Sequence, residues 1–319
     1  MSDFYMSSEK IREKIRERSI ELLSKIKESR VRDILMQRAK FSSFIKGILA
    51  YYIHDGLDGN FSSRRKVDLS SKLEIFSSSG AILDNVIDKH EERNGKTTYL
   101  REYGPTIQLF ASQYALNYGL RSLFPFLSTF CEKFSNEYKL DQTILGMIQM
   151  DTGRSIDLDD HLKMTGSVNG HFNETILIMT ASVVTEDVHK IKAIGSYGFN
   201  LGIGLGIYEE LRDLLGKHGR KRATEVEEGR VITPLHIAQD FNYSHYIGRQ
   251  LNKAEYKILL HELQKRGSLK RTSNLACDYF QKALNKLESA VNARCIQNIK
   301  PLHTSLESSM ERMLVKRNS

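Results

Sequence analysis

Four carboxylates in two pairs carry the strongest chemical signal in this sequence. Asp84 and Asp88 belong to Leu83-Asp-Asn-Val-Ile-Asp88, and Glu209 and Asp213 to Tyr208-Glu-Glu-Leu-Arg-Asp213. Both stretches read as helix, and residues four apart on a helix share one face. Each pair therefore projects together, and two such helices face to face would gather four carboxylates around one space. Mg²⁺ is held by carboxylate and phosphate oxygens with several waters retained. A diphosphate bridged by Mg²⁺ to two acidic helices is the simplest chemistry this spacing suggests. An isolated acidic pair is ordinarily a solvated helix face. Here the flanks argue for an interior: Asp84 follows the uncharged run Ser77 to Leu83, and Glu209 follows Asn200-Leu-Gly-Ile-Gly-Leu-Gly-Ile207.

The elements that must position these carboxylates are helical throughout. Ser7 to Ala39 is charged and amphipathic, with Ile11, Ile15, Ile20, Leu23 and Ile26 in an approximate helical stripe. Arg38 to Ile53 continues as helix, and Asp55-Gly and Asp58-Gly break it. Leu69 to Lys89 is a buried helix ending in the first acidic turn, and a polar loop, Glu92 to Lys96, follows. Further helices are expected over 106–120, 123–138, 160–185 and 187–216, with Gly166 and Gly170 weakening the third. A charged loop spans 217–231, Pro234 opens a helix at its first turn, and helices close the chain over 251–266 and 272–317. No strand-like alternation of useful length occurs. The expectation is an all-α single domain over 1–319, with the 1–39 helical region packing on it.

At 319 residues the chain can bury a sizeable core. No run of 18 uncharged apolar residues exists, so no membrane span is expected. Met1-Ser-Asp-Phe-Tyr-Met6 lacks a basic-then-apolar signal pattern, and Cys131, Cys277 and Cys295 are too scattered for a disulfide framework or zinc site. These features point to the cytoplasm. The net charge of +8 comes from Lys and Arg interspersed with acids, and no nucleic-acid motif accompanies it. A solvated basic surface is the reading, with no nucleic-acid partner.

The order and spacing of these features, from about residue 40 onward, resembles the trans-isoprenyl diphosphate synthases, or polyprenyl synthetases. Their DDxxD reads here Asp84-Asn85-Val86-Ile87-Asp88, and their RRG reads Arg93-Asn94-Gly95. Their GQxxDL reads Gly153-Arg154-Ser155-Ile156-Asp157-Leu158. Their second motif, NLGxxFQxxDDxxDxxG, reads Asn200-Leu201-Gly202, Leu205-Gly206, Glu209-Glu210-Leu211-Arg212-Asp213 and Gly216. The resemblance implies a helical bundle of the isoprenoid synthase type around a central active-site cavity, Mg²⁺ (three ions with diphosphate), an allylic isoprenoid diphosphate substrate and a homodimer. It also implies contact with a membrane surface where the product is apolar.

The departures from the family pattern cluster on one side. The family grips its second substrate, isopentenyl diphosphate, with a GGKRxR segment, a His or Gln, and the second Arg of RRG. Here Phe41-Ser42-Ser43-Phe44-Ile45-Lys46 aligns with GGKRxR, so Ser43 replaces the Lys and only Lys46 keeps a charge. Ser77 and Asn94 stand at the other two grips. The allylic side keeps more. Asp84, Asp88, Glu209 and Asp213, with Glu210 as a substitute, are the implied metal ligands. Arg93, Arg154 and Lys163 are the implied diphosphate contacts. An active site that ionises one diphosphate and cannot hold another implies a terpene synthase, with Tyr208 and Phe76 offering ring faces to a carbocation. The alternatives are a prenyltransferase that elongates or couples isoprenoid diphosphates, and a non-catalytic subunit of one. Residues four and five before the first aspartate form the chain-length floor in the family. Here they are Gly80 and Ser79, with Phe76 deeper, so a substrate of C20 or longer is expected.

Overall fold

The computed structural model describes residues 2–57, 61–87, 92–93, 96–97, 99–126, 132, 141–143, 145–146, 157–216 and 221–315. The all-α class expected from the sequence is the one observed. Among the described residues the one extended pairing is a short antiparallel hairpin, β1 (Glu92–Arg93) with β2 (Lys96–Thr97), Arg93 standing opposite Lys96. The sequence suggested a plain polar loop there, because two-residue strands leave no alternation to detect.

The chain forms two compact units, each discontinuous in sequence. The first comprises residues 1–137, 176–194 and 287–302. It opens with α1 (Ser2–Leu23) and α2 (Ser29–Phe41), which the sequence read as one charged region. The break falls just before Glu28, whose carboxylate accepts the Val31 N–H at 2.7 Å and so caps α2. Next come α3 (Ile45–Gly56) and α4 (Ser63–Ile87). The α1 helix lies on α4: the Ser71 hydroxyl donates to the Ile15 carbonyl at 3.1 Å, and Arg18 Nε donates to Asp68 at 2.7 Å. Ile15, Ile48, Ile53, Leu73 and Phe76 are fully buried in this unit's core. The α5 helix (Tyr99–Leu123) packs along α4 and carries a kink where Gly104 takes φ 72° before Pro105. A positive φ suits glycine, and proline removes the N–H that would continue the ladder. The Ser112 hydroxyl donates to the Ser79 carbonyl at 2.8 Å, and Gly119 lets α5 close on Phe76.

The second unit comprises 138–175, 195–286 and 303–319. Asp157 accepts the Asp160 N–H at 2.8 Å and starts α6 (Leu158–Thr165). One π-helical turn, Gly166–Gly170, then leads into α7 (His171–Ser182). The π turn is the local form taken by the glycine-weakened segment noted in the sequence, and such single turns tend to sit at functional positions. The long α8 (Val188–Leu214) carries the second acidic turn. Gly198, Gly202 and Gly206 recur every fourth residue on it and lie against the backbone or side chains of Asn173, Asn169 and Thr165. A β-carbon at Gly206 would fall 2.7 Å from Thr165 Cγ2, so these glycines permit the close approach of α8 to the α6–α7 segment. Two short helices follow, α9 (Thr224–Glu227) and α10 (Thr233–Ile237), and three long ones, α11 (Lys253–Lys265), α12 (Ser268–Glu288) and α13 (Ala293–Val315).

Candidate active site

Asp84 lies in the last turn of α4 and is half-buried. Lys46 of α3 feels its charge. Burial lowers Lys46 to about 8, while Glu74 raises it, Arg38 lowers it and Asp84 raises it again. Lys46 therefore lies within electrostatic range of Glu74, Arg38 and Asp84 in the first unit. Glu74 is buried and organises the link between α2 and α3. One oxygen accepts the Ser42 hydroxyl at 2.7 Å and the other accepts the Gly47 N–H at 2.8 Å. Phe44, in that link, has φ 56° and ψ 22°. A left-handed phenylalanine costs roughly 1–3 kcal/mol and persists only where the surroundings over-determine it. Here Glu74 fixes both ends of the link, and the ring is fully buried, 5.6 Å from the Arg16 guanidinium carbon.

Ser43 is exposed, and the Ser77 hydroxyl donates back to the Glu74 carbonyl at 3.0 Å. Neither carries a charge to an anion. Gly80 is half-buried on α4. Ser79 is buried with its hydroxyl on the Phe76 carbonyl at 2.7 Å, and its own carbonyl takes Ser112 of α5. Phe76 is fully buried, and a β-carbon at Gly119 would fall 2.5 Å from its Cβ. The α4 face suggested as a chain-length floor is thus packed directly by α5 at these two residues. Asp88 and Arg154 lie outside the described residues, and Arg93 is described as backbone in β1 alone.

The second acidic turn places its carboxylates differently. Glu209 is half-buried and pairs with Arg212 Nη1 at 2.9 Å. Glu210, suggested as a substitute metal ligand, turns inward and is 5 % exposed. One of its oxygens takes His161 Nε2 of α6 at 2.9 Å, and the other takes the Thr233 N–H that opens α10 at 2.8 Å. Burial works to raise its carboxyl, but His161 and Thr233 override that and hold it below the ordinary range. For His161 burial works against the charge, and the facing carboxylate wins, holding the imidazole above its usual value. His236 stacks on His161 with ring centroids 4.8 Å apart, and burial lowers it to about 4. Asp213 is also buried, and one oxygen accepts the Glu225 N–H at 3.0 Å, fixing the return after α8.

Two further residues expected at the substrate are engaged elsewhere. Lys163 points to solvent with its side chain 75 % exposed and pairs with Asp160 at 2.8 Å. It lies one helical turn from the Asp160 carboxylate, which is the nearer use for its charge. Tyr208 is fully buried, and its hydroxyl shares a hydrogen bond of 3.0 Å with Ser309 of α13. Its ring faces core packing, with the Arg212 guanidinium carbon 6.0 Å from the centroid.

Among the described residues no three His, Cys, Asp or Glu side chains gather as a metal centre. Asp84 in the first unit and Glu209 in the second are each half-buried. The polar residues that the sequence reading did not single out are Glu74 in the first unit and His161 and His236 in the second. Glu74 left a trace in the sequence, as the sole charge between Lys72 and Asp84. The histidines left none, because their partner lies 49 residues away from His161 in the chain.

No protein-family model and no curated protein matches this chain. Solved structures do. A geranylgeranyl pyrophosphate synthetase from Pyrococcus horikoshii Ot3 aligns with TM-score 0.80 at 15 % identity, covering 96 % of this chain and 98 % of that one. A polyprenyl synthase from Caulobacter crescentus CB15, solved with calcium and isoprenyl diphosphate, aligns with TM-score 0.81 at 17 % identity and 96 % coverage of each chain. An octaprenyl pyrophosphate synthase from Helicobacter pylori aligns with TM-score 0.78 at 17 % identity, covering 94 % and 99 %. The fold is that of the trans-isoprenyl diphosphate synthases, the all-α isoprenoid synthase architecture. At these identities the likeness defines the fold, and the chemistry is argued from the residues.

Proposed function

We propose that this protein is a Mg²⁺-dependent isoprenoid diphosphate enzyme of the trans-prenyltransferase kind, joining an allylic diphosphate to a second isoprenoid diphosphate. The carrying observation is the coincidence of two facts. The chain matches prenyl diphosphate synthases over nearly its whole length. It also keeps half-buried carboxylates, Asp84 and Glu209, at the two positions where the sequence resemblance puts metal. In this reading Asp84, Asp88 and Glu209 hold Mg²⁺, and Arg93 and Arg154 hold the allylic diphosphate. The metal would supply charge stabilisation for the departing diphosphate, the term that dominates when an anion leaves. Glu210 and Asp213 support this indirectly by fixing the helix that carries Glu209.

A homodimer accords with the surface of α5, where Leu109, Phe110, Tyr114 and, just beyond the helix, Phe124 are exposed. A large exposed apolar patch of this kind commonly marks an interface.

The terpene synthase reading keeps one observation in its favour. Ser43 and Ser77 stand where cationic or polar grips on the second substrate are expected, and neither can replace a charge. Incubation with Mg²⁺ and C10, C15, C20 and C25 allylic diphosphates, with and without isopentenyl diphosphate, separates the readings. A diphosphate five carbons longer is the outcome expected. Hydrocarbons or alcohols formed at the same rate without isopentenyl diphosphate would establish the lyase instead.

A further inference from the structure

We propose that a single buried water molecule binds between α1, α2 and α4, where it joins the Ser19 hydroxyl to the Glu74 carboxylate. The site lies wholly within the first unit.

Ser19 creates the need for it. This residue stands near the end of α1 and is 1 % exposed, and its hydroxyl has no hydrogen-bond partner among the described residues. A serine or threonine inside a helix can satisfy its hydroxyl on the carbonyl four residues back. Ser78 does so on Glu74 at 2.9 Å, and Thr180 on Ile176 at 2.8 Å. For Ser19 that carbonyl belongs to Ile15. It already carries its helical N–H and has the Ser71 hydroxyl of α4 at 3.1 Å. A buried hydroxyl left without a partner forfeits the hydration it had in the unfolded chain.

A cavity of about 10 Å³ lies beside it, bordered by Ser19, Ser42, Glu74 and Ser78 and closed by apolar groups that include Leu35 and Phe44. That volume suits one water molecule and no larger ligand. Water enters such a space where it meets roughly two to four polar partners, while a wall of hydrocarbon alone stays dry. The partners here are complementary. Ser19 has a proton to donate. The Glu74 oxygens receive Ser42 at 2.7 Å and Gly47 at 2.8 Å, and a carboxylate has about four acceptor positions. The Ser78 hydroxyl has spent its proton on the Glu74 carbonyl, so its oxygen is free to accept. A water that accepts from Ser19 and donates to Glu74 and Ser78 therefore answers all three.

The bound water makes α1 a third element tied to Glu74. That carboxylate already holds the end of α2 through Ser42 and the first turn of α3 through Gly47, on either side of the left-handed Phe44. Loss of the water loosens this junction from the α1 side.

The test uses the full chain without ligand. A crystal structure that shows ordered solvent should contain one water at Ser19. Magnetic relaxation dispersion of the solvent should count one fewer long-lived water in Ser19→Val, whose methyl groups fill the cavity. Ser19→Ala keeps the space and removes the donor. It should lower the urea midpoint and speed hydrogen exchange at the Gly47 amide about ten-fold, as expected when one hydrogen bond in the junction is lost. A dry cavity gives the opposite sign, because Ser19→Ala then removes an unpaired buried hydroxyl and raises the midpoint. A wild-type structure without solvent density at Ser19 overturns the site, and so does a raised midpoint in Ser19→Ala. Unchanged exchange at Gly47 overturns the bridge to Glu74. The wild-type density and Ser19→Ala decide the matter even where Ser19→Val does not fold.

Discussion

Asp84 and Glu210 each belong to an acidic turn near the end of a long helix, and they meet opposite surroundings. Asp84 is half-buried in the last turn of α4, within electrostatic range of Lys46. Glu210 is fully enclosed, and both its oxygens are used by His161 and by the N–H that starts α10. Asp213 follows Glu210 in serving the backbone, through Glu225. The second turn therefore spends most of its charge on holding its own helix. A count of carboxylates overstates what the second turn can give a metal; by geometry Glu209 is its outward member.

The largest effect should come from testing that inequality directly. Asp84→Ala is expected to lower diphosphate release by about 10²–10³-fold, the loss typical when an electrostatic stabiliser of a leaving anion is removed. Glu209→Gln should cost less, about ten-fold, since Arg212 already shares that carboxylate. Turnover assays at saturating Mg²⁺ measure both, and equal losses would show the two turns to be equivalent after all.

The next effect is on stability and belongs to the second turn alone. Glu210→Ala leaves the buried His161 ring and the Thr233 N–H without the carboxylate that joins them. Breaking a buried pair in this way costs roughly 3–5 kcal/mol, which urea unfolding would read as a large fall in midpoint. A loss under about 1 kcal/mol would mean the Glu210 carboxylate is not holding the helix, and would return it to the list of metal ligands.

A smaller effect appears with pH. His236 titrates near 4 in the folded chain against an ordinary 6.5, because burial disfavours its charge. A base whose folded value is depressed binds protons more readily unfolded. Its cost is absent above about 6.5 and grows as pH falls toward 4. His54 and His303, also lowered to about 4 by burial, act in the same sense. The His161–Glu210 pair is lost at both ends. Its histidine part fades as pH rises through the raised value, and its carboxylate part fades as pH falls below the ordinary 4.5. Melting temperatures from pH 7 down to 5 should fall in the wild type. His236→Asn should flatten that fall, by on the order of 2 kcal/mol at pH 5. An unchanged slope would show that His236 is not buried as a neutral base.

The sequence carried the fold well because the fold is written in local periodicity. The uncharged stretch from Ser77 to Leu83 and the glycine-spaced stretch from Asn200 to Ile207 both lie inside the long helices expected of them. It also marked as helical the second acidic turn and the described part of the first, up to Ile87. It could not say which carboxylates face a ligand, since that depends on partners distant in the chain: Thr233 for Glu210, Glu225 for Asp213, Ser309 for Tyr208. Nor could it show that Lys163 pairs with Asp160, three residues before it.

Tyr208 offers the finest test of the difference between the turns, because it sits directly before Glu209. Were the second turn open to substrate, its ring would be a natural surface for a carbocation. Instead its hydroxyl bonds Ser309 within the second unit, and the ring is fully buried. Tyr208→Phe keeps the ring and removes the hydroxyl alone. The Ser309 hydroxyl then loses a partner in a site where both groups are buried, at a cost of about 1 kcal/mol. Equilibrium unfolding should register that loss. Tyr208→Phe combined with Ser309→Ala should cost less than the sum of the two single changes, because the bond can be broken only once. Full additivity would mean the two hydroxyls do not interact. A fall in turnover without any change in stability would instead place the Tyr208 hydroxyl at the substrate and make the second turn a ligand-facing one.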